Sequence, residues 1–194
     1  MPRRILLIQG HPDPDRRRFC RALAGSYAKG ARDAGHSVEE IDLATVDFPL
    51  LRSELEFEHG CIPESLRAAE EAIRNAEHVV LVFPLWLGTM PALVKGFLEQ
   101  VMRPGVAFAY RQGGFPEKLM AGRSARVVVT MGMPTLLYRW WYGANGTRVL
   151  KRNILEFTGF HPVRETLFGM VADAGKARRM KWLDRMYALG RKAS

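Results

Sequence analysis

Three short, unbroken aliphatic runs constrain this chain most: Arg4 to Gln9 (RILLIQ), His78 to Phe83 (HVVLVF) and Arg126 to Met131 (RVVVTM). Each is too short for a buried helix. None alternates, so neither face can meet water, as in parallel strands covered on both sides. Ser37 to Leu43 and Val163 to Phe168 read as two further strands. Between them lie segments with helical spacing. In Arg16 to Ala34, Phe19, Leu23, Tyr27 and Ala31 align and Gly35 supplies the stop. Pro63 to Asn75, Met90 to Met102 and Val149 to Phe157 are also expected to be helical. In Ala177 to Leu189 the stripe Met180, Leu183, Tyr187 is expected to pack on the sheet. Ala44 to Gly60 shows no period and reads as partly structured or as a subunit contact. Val106 to Gly122 is a glycine-rich excursion, and a long loop is expected before Val149.

Strands alternating with helices specify a doubly wound α/β fold, here one domain over residues 1–194. Ligands in such folds bind beyond the carboxyl ends of the strands. That rule selects the loops after the first, third and fourth strands.

Composition narrows the function classes. Cys20 and Cys61 have neither metal-ligand nor redox-pair spacing, which reads as a reducing, cytoplasmic setting. The apolar part of the N-terminus is too short for a signal peptide, and no run is long enough to span a membrane. Lysine and arginine exceed acidic residues by 29 − 20 = 9. The excess is scattered, with concentrations at Arg16–Arg18, around Lys151–Arg152 and from Lys176 to Lys192. It suits an anionic partner or a solvated surface, and without a recognisable module it does not specify nucleic acid. No metal site is expected.

The first loop, Gly10-His11-Pro12-Asp13-Pro14-Asp15-Arg16-Arg17-Arg18-Phe19, brings a helix start together with arginines, a combination suited to phosphate. The competing reading is that Asp15 caps the helix, the arginines are merely exposed and His11 is a hydrogen-bonded structural histidine. The second loop, Pro84-Leu85-Trp86-Leu87-Gly88-Thr89, ends a buried strand in a rigid apolar turn carrying an indole. Its backbone amides suit the polar edge of a flat heterocycle, whose face Trp86 and Leu87 would shield. A core-packing turn explains Leu85 and Leu87 but not the tryptophan. The third loop, Thr130-Met131-Gly132-Met133-Pro134, runs into Tyr138, Trp140, Trp141 and Tyr142, which read as a cover over the ring or a dimer contact.

The run PLWLGTMPALVKGFLEQV, together with GHPDPDRRRF and TMGMP, resembles the flavodoxin-like NAD(P)H:quinone oxidoreductases, the group of DT-diaphorase and bacterial quinone and azo-compound reductases. The resemblance implies a five-stranded parallel sheet in the order 2-1-3-4-5 and a homodimer. It implies two-electron, ping-pong hydride transfer from NAD(P)H through bound FMN, with FAD as the alternative, to a quinone-like acceptor. By position, His11, Arg18 and Phe19 would hold the flavin phosphate and ribityl chain. Pro84, Leu85, Trp86 and Leu87 would line the ring, and Thr130, Met131, Gly132 and Met133 would meet its far edge. Tyr138 would correspond to a tyrosine of DT-diaphorase that helps stabilise the reduced flavin, with Asn145 or Arg139 in place of its partner histidine. The chain departs from the family at Arg18-Phe19-Cys20, where Ser-Phe-Asn is common. It departs again at Met133, where DT-diaphorase has a second glycine, and at Ala144, where it has a histidine. A flavodoxin-type electron carrier and a regulatory subunit of a potassium-efflux system are the other functions within reach.

Overall fold

The computed structural model describes residues 1–194. Five parallel strands form one sheet: β1 (Arg4–Gln9), β2 (Ser37–Asp42), β3 (His78–Pro84), and, past a two-stranded hairpin of β4 (Phe108–Ala109) and β5 (Glu117–Lys118), β6 (Ser124–Thr130) and β7 (Val163–Phe168). Their spatial order is β2-β1-β3-β6-β7, the expected order once the hairpin strands are set aside. Every residue of β3 and β6 is buried, which is why these runs carry no polar alternation. β2 lies at an edge and accordingly contains Glu39 and Glu40.

The two-residue period of a strand divides the core. Ile5, Leu7, Val80, Val82 and Val128 face α1 (Phe19–Asp33) and the C-terminal helix α7 (Lys176–Arg191). Leu6, Ile8, Val79, Leu81, Val127 and Val129 face α3 (Arg67–Asn75) and α4 (Ala92–Val101). Consecutive residues thus serve opposite layers. α1 and α7 touch backbone to backbone at two glycines. A Cβ on Gly30 would lie 2.1 Å from the Tyr187 carbonyl oxygen, and one on Gly190 would lie 2.0 Å from that of Tyr27.

Several expectations need correction. α1 begins at Phe19, not Arg16. The Ala44–Gly60 stretch, by contrast, is partly structured as one reading expected: it holds the end of a 3₁₀ turn (Leu43–Thr45) and α2 (Glu54–His59), which the Ser53 hydroxyl caps by accepting from the Glu56 N–H. The glycine-rich excursion contains the β4–β5 hairpin. The long loop before Val149 is largely helical: α5 (Thr135–Trp140) and α6 (Asn145–Val149), the latter continuing through a π-helical stretch (Leu150–Glu156). In α7 the deeply buried positions are Met186 and Gly190, while Met180 is 49% exposed. The stripe is rotated because α7 packs mainly on α1, whose glycine contact sets its face.

At the amino end of the sheet His78 is fully buried, with Nδ1 2.7 Å from the Ser124 hydroxyl and Nε2 without a partner. Burial first, then the charges of Arg126, Arg3 and Arg164, push its pKa from 6.5 down to about 3. The unfolded chain binds this proton below pH 6.5 and the folded chain does not, so His78 removes stability as pH falls through that window. Urea unfolding should show a His78 contribution of about 1.4 kcal/mol per pH unit between roughly pH 6 and 4. His78→Gln should flatten the curve by that amount. Parallel curves would show that His78 does not stay neutral in the folded protein.

Candidate active site

Each central strand hands its ladder on to a loop. The Gly10 N–H donates to Val82 O (2.7 Å), Leu85 N–H to Thr130 O (2.7 Å) and Met131 N–H to Phe168 O (2.8 Å). The loops after β1, β3 and β6 therefore leave the sheet side by side. A cavity of about 340 Å³ opens between them, within the range of small-molecule sites. Gly10 must lack a side chain there, since a Cβ would lie 2.7 Å from Val94 Cγ2.

The first loop descends in steps of side chain to backbone. His11 Nδ1 accepts from the Asp13 N–H (3.0 Å), Asp13 Oδ1 from the Asp15 N–H (2.8 Å), and Asp15 Oδ1 from the Arg17 N–H (2.9 Å). These local turns occupy Asp13 to Arg17 and delay the helix. Arg18, not Asp15, is the N-cap, and no side chain caps the helix. Its first N–H groups are thus free beside the cavity that Phe19 and Cys20 line. Arg18 pairs with Asp13, and Arg17 forks onto Asp15 at 2.9–3.1 Å. Hydrogen bonds from Arg17 bring the Asp15 carboxyl down to about 2. His11 is shifted below its ordinary value by burial and then by the charge of Arg18. It is therefore neutral at pH 7, and with Nδ1 accepting, Nε2 carries the proton.

The second loop is a tight turn closed by Trp86 N–H to Thr89 O (2.9 Å) and Thr89 N–H to Trp86 O (3.0 Å). Leu87 (φ 47°) and Gly88 (φ 80°) both lie in the left-handed region, a strained conformation for a leucine. Trp86 meets His11 edge to face with ring centroids 6.1 Å apart. In the third loop the Cβ position of Gly132 is open space. The Cys20 sulfur lies 3.0 Å from the Thr130 hydroxyl and ties the first loop to the third, and burial raises its thiol to about 11.

Of the residues read from the sequence, His11, Arg18, Phe19, Pro84, Leu85, Trp86, Thr130, Met131 and Gly132 line this one cavity. Leu87, Met133, Tyr138 and Asn145 are not among its lining residues, each for a local reason. The left-handed turn throws Leu87 fully into solvent. Met133 packs on the core, and its carbonyl accepts from the Met170 N–H. Asn145 is exposed at the start of α6. Tyr138 is buried, and its hydroxyl donates to Gly88 O (3.2 Å) and accepts from the Thr147 N–H (3.1 Å). It is a brace between the second loop and α6, pressed so close that a Cβ on Gly146 would lie 2.2 Å from Gly88 O.

Sequence reasoning missed Val171, Ala172 and Arg179 as lining residues. Arg179 reaches in from α7, donating to Ala174 O and Val171 O (both 2.9 Å) with its guanidinium carbon 5.4 Å from the centre of the Phe19 ring. The only signal was the basic run itself, which does not say which arginine turns inward.

The sequence profile of the flavodoxin-like fold family matches residues 3–189, and the chain belongs to that family. Among similar proteins is one from Haemophilus influenzae named "Uncharacterized NAD(P)H oxidoreductase", 29% identical over 84% of this chain and 82% of its own. An FMN-dependent NADH:quinone oxidoreductase of Ruegeria pomeroyi is 28% identical over 58% of this chain and 62% of its own length. The solved NAD(P)H:quinone oxidoreductase from Methanothermobacter marburgensis superposes with a TM-score of 0.81 at 22% identity, over 99% of this chain and 97% of that one. That likeness is one of fold.

The brace makes a prediction. Tyr138→Phe leaves the Thr147 N–H and the Gly88 carbonyl short of a partner and should cost about 1–2 kcal/mol in urea unfolding. A catalytic tyrosine would instead lower turnover with stability unchanged.

Proposed function

We propose that the protein is an NAD(P)H-dependent flavin oxidoreductase that binds FMN in this cavity and passes two electrons to a quinone-like acceptor. The observation that carries the reading is the division of the cavity into two chemically distinct ends. One end has the uncapped start of α1, Arg17, Arg18 and Arg179, which suits a phosphate. The other has Pro84, Leu85 and Trp86 beside the open Gly132, a shelf for a flat ring. Bound flavin would supply reversible acceptance of a hydride, a chemistry no side chain offers. The protein's own part is to orient and to tune. His11, neutral with Nδ1 accepting, would offer Nε2–H as a donor, and Trp86 and the backbone of Thr130 to Gly132 would hold the ring. FMN is preferred to FAD because the cations gather at a single helix start, and because the Ruegeria relative is named FMN-dependent.

The half-exposed Trp86 leaves one face of the shelf accessible, where coenzyme and acceptor would alternate in a ping-pong cycle. We place the protein in the cytoplasm, in keeping with its free cysteines; no helix is long and apolar enough to cross a membrane. It acts as one domain, and we propose that it is a homodimer. An apolar groove of about 300 Å³ beside α4, lined by Phe57, Leu98, Met102, Phe108 and Phe157, offers a contact face, continued by the exposed Tyr110 and Phe115.

The purified protein should be yellow or take up FMN, and should bleach on anaerobic addition of NADPH or NADH. Arg18→Ala should weaken FMN binding about tenfold through loss of a charged hydrogen bond. A protein that takes no flavin, or a flavin protein inert to both coenzymes, would remove the reductase reading; the second result would point to an electron carrier.

A further inference from the structure

A second concavity, larger than the flavin cavity, is a cleft of about 690 Å³ at the sheet edge. It lies between α5, the α6 and π-helical segment, and β7. Helical spacing builds it. Leu136, Arg139 and Trp140 share one face of α5, and Ala144, Thr147, Arg148, Lys151 and Arg152 share one face of the next helix. Glu165 of β7 is its one carboxylate, against four cations. Trp140 is 84% exposed.

Three of these four cations have no carboxylate within 4.0 Å, in contrast to Arg17 and Arg18 at the first loop. Arg17, Arg18, Arg21, Arg32 and Arg74 all have a carboxylate within 4.0 Å. In the cleft only Lys151 does, loosely, with Glu156 at 3.9 Å. Arg139, Arg148 and Arg152 have no acidic partner, so three guanidiniums surround a space large enough for a ligand beside an accessible indole. Guanidinium forks match phosphate oxygens, and an exposed indole offers a face for a planar base. Together they suit a phosphorylated nucleoside.

The cleft is joined to the flavin cavity by a short piece of chain. Gly132 lines the cavity and Leu136, four residues on, lines the cleft. Along β7, Glu165 stands three residues before Phe168, whose carbonyl anchors the third loop, a distance of about 10 Å at strand rise. Resting on the reductase reading, we infer that this cleft binds the adenosine end of the coenzyme. Trp140 meets the adenine, and Arg139, Arg148 and Arg152 receive the 2′-phosphate. The enzyme therefore prefers NADPH. A lone Glu165 would suit the ribose hydroxyls of NADH, but the surplus of three positive charges decides for the additional phosphate.

The test begins on flavin-free protein, where the reductase reading plays no part. By titration calorimetry, adenosine 2′,5′-bisphosphate should bind at least about tenfold more tightly than adenosine 5′-monophosphate. The double variant R148Q/R152Q, altered at two exposed positions, should abolish that difference, and Trp140→Leu should weaken both nucleotides. With FMN bound, the NADPH-to-NADH ratio of kcat/KM should exceed one and fall about tenfold in R148Q/R152Q. Equal binding or no binding of the two nucleotides, or a ratio that the variant leaves unmoved, overturns the assignment. Bleaching by NADH and NADPH alike, without bisphosphate binding, would overturn the cleft alone and leave the reductase standing. Bisphosphate binding by a protein that takes no flavin would support the cleft and sink the reductase.

Discussion

The site depends on one device: hydrogen bonds that continue the parallel ladder past the ends of its strands. Gly10, Leu85 and Met131 each donate a backbone N–H to the last turn of the neighbouring strand or loop, at 2.7–2.8 Å. The loops are thereby fixed relative to one another by the sheet and not by their own side chains. Cavity shape then inherits the rigidity of the core, where β3 and β6 are buried along their whole length. The contact between Cys20 and Thr130 adds a second tie across the same floor. Burial keeps the thiol protonated, so it acts there as a small hydrogen-bonding group and not as a nucleophile.

What the sequence made legible follows from which interactions are periodic. Continuous apolar runs identify strands covered on both sides, and the carboxyl-end rule then names the loops, so His11, Trp86 and Gly132 could be brought together from residues far apart along the chain. What failed was orientation within loops. Leu87 was expected to shield the ring, yet the left-handed turn that shapes the loop points it outward. Tyr138 was expected at the ring from the resemblance, but whether its hydroxyl reaches the cavity or a backbone carbonyl is a matter of a few ångströms that spacing does not encode. The aromatic-rich stretch after Pro134 hid two helices because its apolar residues are largely exposed, leaving no buried stripe to detect. Arg179 was invisible for another reason. It enters from a helix more than 150 residues from the first loop, as one of many similar cations.

Charge placement separates two kinds of arginine in a chain whose formal excess is +9. Some cations are paired within their own helix, as Arg74 is with Glu70 and Lys29 with Asp33, and those pairs contribute little beyond solubility. Those at the first loop are different in arrangement. Asp13 and Asp15 accept from backbone N–H groups and from guanidiniums at once, so each carboxylate fixes both the turn and the arginine beside it. The acidic residues lower the net field at the helix start, which weakens attraction for an anion. They also hold Arg17 and Arg18 in defined rotamers, which reduces the side-chain entropy lost when an anion arrives.

Which effect dominates follows from exposure. Arg17 is 90% exposed and its pair with Asp15 is screened by water, so the Coulombic loss at that pair is small. Ordering a long side chain on a ligand carries an entropic cost of its own. Pre-ordering works against the lost field, and the first loop would hold the proposed phosphate through geometry as well as through charge. In the cleft by β7 the balance is reversed. Its arginines have no carboxylate partner, so on the proposed reading that surface would draw an anion by its field. On the proposed reading, the two ends of one ligand path would be built on opposite principles. The inner end suits a group that stays bound, and the outer end suits one that must arrive and leave in every cycle.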